Sequence, residues 1–231
     1  MEDKLARLES KLSVIWKGIA QGTVPLTYFH KEVIDLFIAT LIFRHPNHEK
    51  KIEYVEKDIC NKLFEDIPKS IENIGFIVNG KETIVNVEKI KGRKMKSDNE
   101  IQISFIKYLD ELSMKFSKML LKKKWSILVS SKREFITSDK PVVITNPKTG
   151  FLGINSEGVI IYFPLSPTRL LILEDNLDNE SDTMSNPLNN VYAPYFNHKI
   201  LSNAYKYVIS NRDIKEVATE IEKFYENEEL K

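Results

Sequence analysis

Apolar residues recur along this chain with two periods, and the change from one to the other falls near residue 125. Before it the spacing is helical. Leu5, Leu8, Leu12, Ile15, Trp16 and Ile19 lie three or four apart and Gly22 follows as a stop, which predicts an amphipathic first helix. Thr27 suits the N-cap of a second helix running to about Arg44. That helix is apolar nearly all round, through Val33, Ile34, Leu36, Phe37, Ile38, Leu41, Ile42 and Phe43, so it is expected at the centre of its bundle. Pro46 ends it. Asn47 and Glu49 open a third helix with Ile52, Val55, Ile59 and Leu63 inward. Residues 68–96 keep no single period. Within them FIVNGKETIV reads either as a hairpin, with Asn79 and Gly80 in a type I′ turn, or as irregular chain. Ser97 to Glu100 forms a capping box for a fourth helix, which buries Ile101, Phe105, Leu109, Leu112, Phe116 and Leu120 and ends in Lys122, Lys123 and Lys124.

From Trp125 to Leu173 the period is two. Trp125, Ile127 and Val129 alternate with Ser126, Leu128 and Ser130. A polar turn, Ser131 to Glu134, leads into Phe135-Ile136-Thr137. Pro141 suits a strand start or edge, and Val142, Val143 and Ile144 favour a pleated surface. Asn146 to Gly150 is a turn that needs φ > 0 at Gly150. Val159 to Phe163 is a strand stopped by Pro164. Arg169 to Leu173 is apolar on both faces, which predicts cover on both. The acidic stretch from Glu174 to Ser185 reads as a mobile loop. Asn186-Pro187 reads as cap and first residue of a helix through Tyr192 to Ser210, kinked near Pro194, with Ile200, Leu201, Ala204, Tyr205 and Val208 core-like. A last amphipathic helix covers Asp213 to Tyr225.

These elements predict an α+β fold: an N-terminal helical bundle packed on a small, mostly antiparallel sheet, with C-terminal helices. The chain reads as one domain, 1–231, with a helical part about 1–124, a sheet part about 125–173 and C-terminal helices about 186–228. With 42% hydrophobic and 29% charged residues in 231, it has the balance of a soluble globular protein. A net charge of +1 supplies no global field for nucleic acid or acidic membranes. The lone Cys60 cannot form an intramolecular disulfide and suits a reducing compartment. The N-terminus lacks the apolar core of a signal peptide, and the longest apolar run, Leu36 to Phe43, is too short to span a bilayer, so the expected setting is cytoplasmic.

Chemistry is sparse. His45 and His48 are close, but no third ligand has recognisable spacing, so they read as helix-end residues and no metal or cofactor is expected. His30 and His198 are isolated. No Walker A, G-x-G-x-x-G or G-x-S-x-G pattern occurs. The lysines of 89–96 and 115–124 lack interleaved aromatics and read as solvated helix faces. Ser138-Asp139 stands out because two small polar residues sit between apolar strands. Asp139 reads as a turn carboxylate accepting nearby N–H groups, or as a general base or ligand anchor with Ser138 as nucleophile; the turn is favoured. Its position predicts burial, with Arg44 at the end of the apolar helix as its counter-charge.

The motifs FITSDKPVV and FPLSPTRLLIL, preceded by Trp125-Ser-Ile-Leu, resemble the core of domain-of-unknown-function family 4238, whose pattern is close to W-x-I-L, F-I-T-S-D-N-P-V and P-L-S-P. Asn197 and AYKYVIS, residues 204–210, are similar to the family's last conserved part. LESKLSVIWKGI and FIATLIFRHP resemble its N-terminal helices, so the likeness spans nearly the whole chain. With the residue readings, it makes Arg44, Ser138, Asp139, Ser166 and Asn197 a candidate polar cluster. The chain departs from the pattern in carrying Lys140 where Asn is usual and in lacking an H-Y-V-P type segment at its start. The resemblance therefore implies a shortened or split member, whose first helix would show an uncovered apolar strip at Leu5, Leu8 and Leu12 and would accept a protein partner there. It carries no established activity. The expected function is a cytoplasmic microbial binding or interaction module in stress or phage-defence settings; the alternative is a hydrolase or nuclease using Asp139 with partners from the helical half.

Overall fold

The computed structural model describes residues 2–45, 50, 67, 68, 70–78, 81–91, 97–132, 134–150, 153–177 and 183–229. The chain divides into two compact units, one of Met1–Phe43 with Asp110–Lys231 and one of Arg44–Leu109.

The larger unit is built on a five-stranded sheet. Its strands are β3 (Lys124–Val129), β5 (Val143–Thr145), β6 (Ile160–Ser166), β7 (Arg169–Glu174) and β8 (Met184–Pro187), in the order β5-β6-β7-β3-β8. Every pairing is antiparallel except β3 with β8. The fold is α+β and the sheet mostly antiparallel, as the two patterns require.

Alternation divides the sheet residues between two cores. Trp125, Ile127, Ile161, Phe163, Leu165, Leu171 and Leu173 face one core, which holds Leu12, Ile19, Val33, Ile34, Ile38 and Ala39 from α1 (Glu2–Gln21) and α2 (Tyr28–Phe43). Val143, Tyr162, Leu170 and Ile172 face the other. There they meet Phe135 and Ile136, with Ile200, Val217 and Ile221 from the two C-terminal helices. β7 is thus covered on both faces, which is why both of its faces are apolar.

The helix ends follow their local chemistry. Thr27 Oγ1 accepts the His30 N–H at 3.4 Å, and Gly22 closes α1 at φ +74°. In the predicted turn, Asn146 Oδ1 accepts the Lys148 and Thr149 N–H groups at 3.0 Å each, and Gly150 has φ +73°.

Four expectations are corrected. Pro164 does not stop its strand: β6 runs on to Ser166, and an irregularity between Pro164 and Ser166 absorbs the missing donor. Asn186-Pro187 does not open a helix. It ends β8, an exposed edge strand where a proline is tolerated. The helix expected to reach Ser210 covers only Ala193–Asn203, with Pro194 in its first turn rather than at a kink. Val208–Ile209 is instead a strand, β9, and Leu201 and Tyr205 are exposed. Lys123 is not solvated: it is buried, and its Nζ lies 3.1 Å from the Val159 carbonyl and 3.0 Å from Asp175 Oδ1.

The smaller unit holds the hairpin of β1 (Asn73–Val78) and β2 (Lys81–Asn86), with Val78 opposite Lys81, so the hairpin reading holds. Asn79, Gly80 and the third helix expected at residues 52–63 lie outside the described residues. Asn86 Oδ1 caps a short helix, α3 (Val87–Lys91). The predicted box opens α4 (Asp98–Leu120): Glu100 Oε2 accepts the Ser97 N–H at 2.8 Å, and Ser97 Oγ accepts the Glu100 N–H at 3.4 Å. The C-terminal helices of the larger unit are α5 (Ala193–Asn203) and α6 (Ile214–Glu229).

Candidate functional site

Two of the segments that carry the family resemblance, FITSDKPVV and AYKYVIS, fold against each other. Thr137–Ser138 forms β4, which pairs antiparallel with β9, Thr137 opposite Ile209 and Ser138 opposite Val208. Around this short ladder the polar side chains are committed to backbone. Asn197, fully buried on α5, donates from Nδ2 to the Glu134 carbonyl at 2.9 Å and accepts the Ile136 N–H on Oδ1 at 3.2 Å. Two turns of helix later, Asn203 donates to the Lys140 and Val142 carbonyls at 2.8 and 2.9 Å. The two asparagines satisfy an irregular stretch that has few ladder bonds of its own.

Asp139 closes the other side. Its N–H donates to the Tyr207 carbonyl at 3.1 Å. Its two oxygens accept the Tyr205 and Lys206 N–H groups at 2.9 and 2.8 Å. These amides lie just beyond the end of α5, in chain that is no longer helical, and the carboxylate serves as their acceptor. The carboxylate is exposed, which corrects the expectation of burial. It does accept backbone N–H groups, but from a strand loop distant in sequence rather than from its own turn. Loss of surrounding water pushes its pKa up, while the Tyr205, Lys206 and Tyr207 N–H groups pull it down further, so the net position is below the ordinary carboxylate range. Arg44 is also exposed and belongs to the smaller unit. Neither charge is buried, so neither needs the other to offset a desolvation cost.

Of the remaining cluster, Ser138 Oγ accepts the Lys140 N–H at 3.2 Å and closes the same turn. Ser166 serves a different junction. Its hydroxyl donates to the Ala20 carbonyl near the end of α1 at 3.0 Å and accepts the Thr168 N–H at 3.3 Å. Ser138, Asp139 and Asn197 are therefore brought to one segment, and Ser166 is not part of their bonding. Asn203 belongs with them. The S-N-A run that contains it carries no residue signal beyond lying two turns after Asn197. Nearby, buried Glu134 meets Arg212 at 3.3 Å, and Arg212 forks onto Glu220 at 2.9 and 2.8 Å.

Asp35 was missed altogether. It is fully buried on α2 beside the sheet, and neither carboxyl oxygen has a hydrogen-bond partner at good geometry. Burial lifts its pKa to about 8, with the Glu32 charge adding a little; the Leu36 N–H and the Ser117 hydroxyl offset only part of this. The signal was present as a carboxylate set directly among the apolar residues Val33, Ile34, Leu36, Phe37 and Ile38 of α2. His198 Nδ1 lies 2.8 Å from the Tyr225 hydroxyl, and burial followed by the Lys199 charge lowers its pKa. On α1, Leu12 is buried, Leu8 half-buried and Val14 exposed, while the side chain of Leu5 lies outside the described residues. Among the described residues no three of His, Cys, Asp and Glu gather as metal ligands, and no helix is long and apolar enough to cross a membrane.

Fold and site together define an α+β protein in which two signature segments are stitched into one ladder by asparagine and aspartate side chains. The family model described as "Protein of unknown function (DUF4238)" matches residues 1–213, and the chain belongs to that family. No curated protein matches it, and no solved structure does.

Proposed function

We propose that this chain is a binding or interaction module of the cytoplasm, and that its contact surface is the outer side of the β9 segment. The observation that carries the reading is the state of Asp139. Both oxygens are aimed at the protein's own backbone, and the carboxyl is held ionised below its usual range. A base so committed is a poor proton acceptor near neutral pH. The same bonds hold Tyr205, Tyr207 and Ile209 outward, 43%, 67% and 62% exposed, around the half-buried Val208. Exposed aromatic and aliphatic side chains on a braced segment are what a partner surface uses as anchors.

The test pairs two measurements on Asp139→Ala. The interaction reading expects amide hydrogen exchange at Tyr205 and Lys206 to accelerate, because their acceptors are gone, and expects Mn²⁺ titration to look the same in both proteins. Exchange that stays slow, together with Mn²⁺ binding that disappears in the variant, would overturn it in favour of the hydrolase or nuclease reading.

A further inference from the structure

β9 has one neighbour, β4, and among the described residues no strand lies on its other edge. The bond from the Asp139 N–H to the Tyr207 carbonyl fixes which backbone groups turn where. In an antiparallel ladder, bonded and non-bonded pairs alternate. Thr137 opposite Ile209 is then a bonded pair, and Ser138 opposite Val208 a non-bonded one. The Val208 N–H and carbonyl therefore point away from β4, and neither has a hydrogen-bond partner among the described residues. The Val208 side chain packs on the C-terminal core, while Tyr207 and Ile209 on either side of it turn outward.

The bland explanation is an edge left to water. An edge that is kept unpaired usually carries a guard, such as a lysine or proline within the strand. The exposed edge of the main sheet has one: β8 shows Ser185 and Asn186 and ends in Pro187. β9 has none. Tyr207, Val208 and Ile209 follow one another, and the lysine, Lys206, lies beyond the Asp139–Tyr207 bond.

We propose that the outer edge of β9 takes up an extended segment of a protein partner as a third, antiparallel strand, and that this segment alternates apolar residues and ends in acidic ones. The inference rests on the interaction reading above and names what that surface binds. Val208 offers both halves of a bonded pair, so the partner residue opposite it exchanges two hydrogen bonds with it. The residues on either side of that one lie opposite Ile209 and Tyr207 and share their face, where apolar side chains pack best. Charge sets the acidic end. Lys206 is exposed, its Nζ lies 5.6 Å from the centre of the Tyr205 ring, and it is in no ion pair among the described residues. The acid beside it, Asp139, has both oxygens on the Tyr205 and Lys206 N–H groups. Past the other end of β9, Arg212 is already paired with Glu134 and Glu220. The open positive charge is therefore at the Lys206 end, which an antiparallel strand meets with its C-terminal residues.

The test uses the full chain and the peptide acetyl-Thr-Val-Thr-Val-Glu-Glu-amide, followed by NMR and amide hydrogen exchange. Without peptide, the Val208 N–H should exchange faster than that of Ile209, which is bonded to Thr137. With the peptide well above its dissociation constant, Val208 exchange should slow by about tenfold. N-methylation of the second threonine removes the donor that faces Val208 and should weaken binding by about fivefold or more. Two lysines in place of the glutamates should weaken it as well, and Lys206→Glu should reverse that preference. Val208 exchange already slow without peptide, binding that ignores the N-methyl group, or equal binding of the lysine peptide would each overturn the proposal. So would Val208 protection that rises with protein concentration alone, which makes a second copy the occupant. An oligothymidylate that shifts the Tyr207 ring resonances at lower concentrations than the peptide would overturn it in favour of a single-stranded nucleic acid. The Asp139→Ala measurements decide whether the β9 segment is a braced contact surface, and none of the peptide results bears on them, so the two readings fail separately.

Discussion

Asp35→Asn makes the sharpest stability prediction. In the unfolded chain this carboxyl ionises at its ordinary 3.8, whereas in the fold burial holds it protonated up to about 8. Below pH 3.8 both states carry the proton and the side chain costs nothing by ionisation. Between the two values the unfolded state releases a proton that the folded state retains, so stability falls as pH rises, by about 1.4 kcal/mol per unit. Above about 8 both states are ionised and the loss is complete. At pH 7 the accumulated loss is roughly 4 kcal/mol, against a total stability on the order of 5–15 kcal/mol for a domain. Asparagine has nearly the same shape and does not ionise. Urea denaturation of both proteins at pH 5 and pH 8 gives the difference directly, since every other titrating group cancels. The asparagine variant should gain about 4 kcal/mol relative to wild type between those two pH values. A difference that does not change with pH would refute the reasoning, because it would mean that Asp35 ionises in the fold as it does outside it.

Two more outcomes follow from the described bonds. Asn197→Ala strands the Ile136 N–H and the Glu134 carbonyl, both in buried residues, and should lower the unfolding free energy by roughly 3 kcal/mol, measured by urea melts; a loss well under 1 kcal/mol would mean that water replaces the amide. Gly22→Ala forces a side chain into a left-handed position and against the Arg169 guanidinium, and should cost about 2 kcal/mol; Arg169→Met in the same background should recover part of it.

Much of the fold was legible because local physics and tertiary structure agreed. The Ser97–Glu100 box, the Thr27 cap, the Gly22 stop and the Asn146 turn each depend on residues within five positions of one another, and each formed as read. The errors fell where a distant partner decided. AYKYVIS has apolar residues at helical spacing, yet Val208 and Ile209 pair with Ser138 and Thr137, about seventy positions away, and that ladder outweighs propensity. Asp139 looked buried because its flanks are apolar, but β4 lies at a surface pair rather than inside the main sheet.

The site divides along the same line. Their setting between apolar strands was enough to pick out Ser138 and Asp139, since polar residues there need a reason, while Asn197 came only from the likeness to the family pattern. What each is bonded to could not be read from either. Only packing α5 over the β4 segment shows that Asn197 and Asn203 hold its backbone, and that Asp139 accepts the amides just beyond the end of that helix. By itself the chain determined the two periods, the caps and turns, and a sheet apolar on both faces, because these are nearest-neighbour matters of spacing and dihedral preference. Tertiary structure alone decided that the Tyr205 and Lys206 amides meet Asp139, that Asp35 sits in the core, and that Asn197 reaches across to residues 134 and 136, because burial and pairing depend on elements that meet only in the folded state.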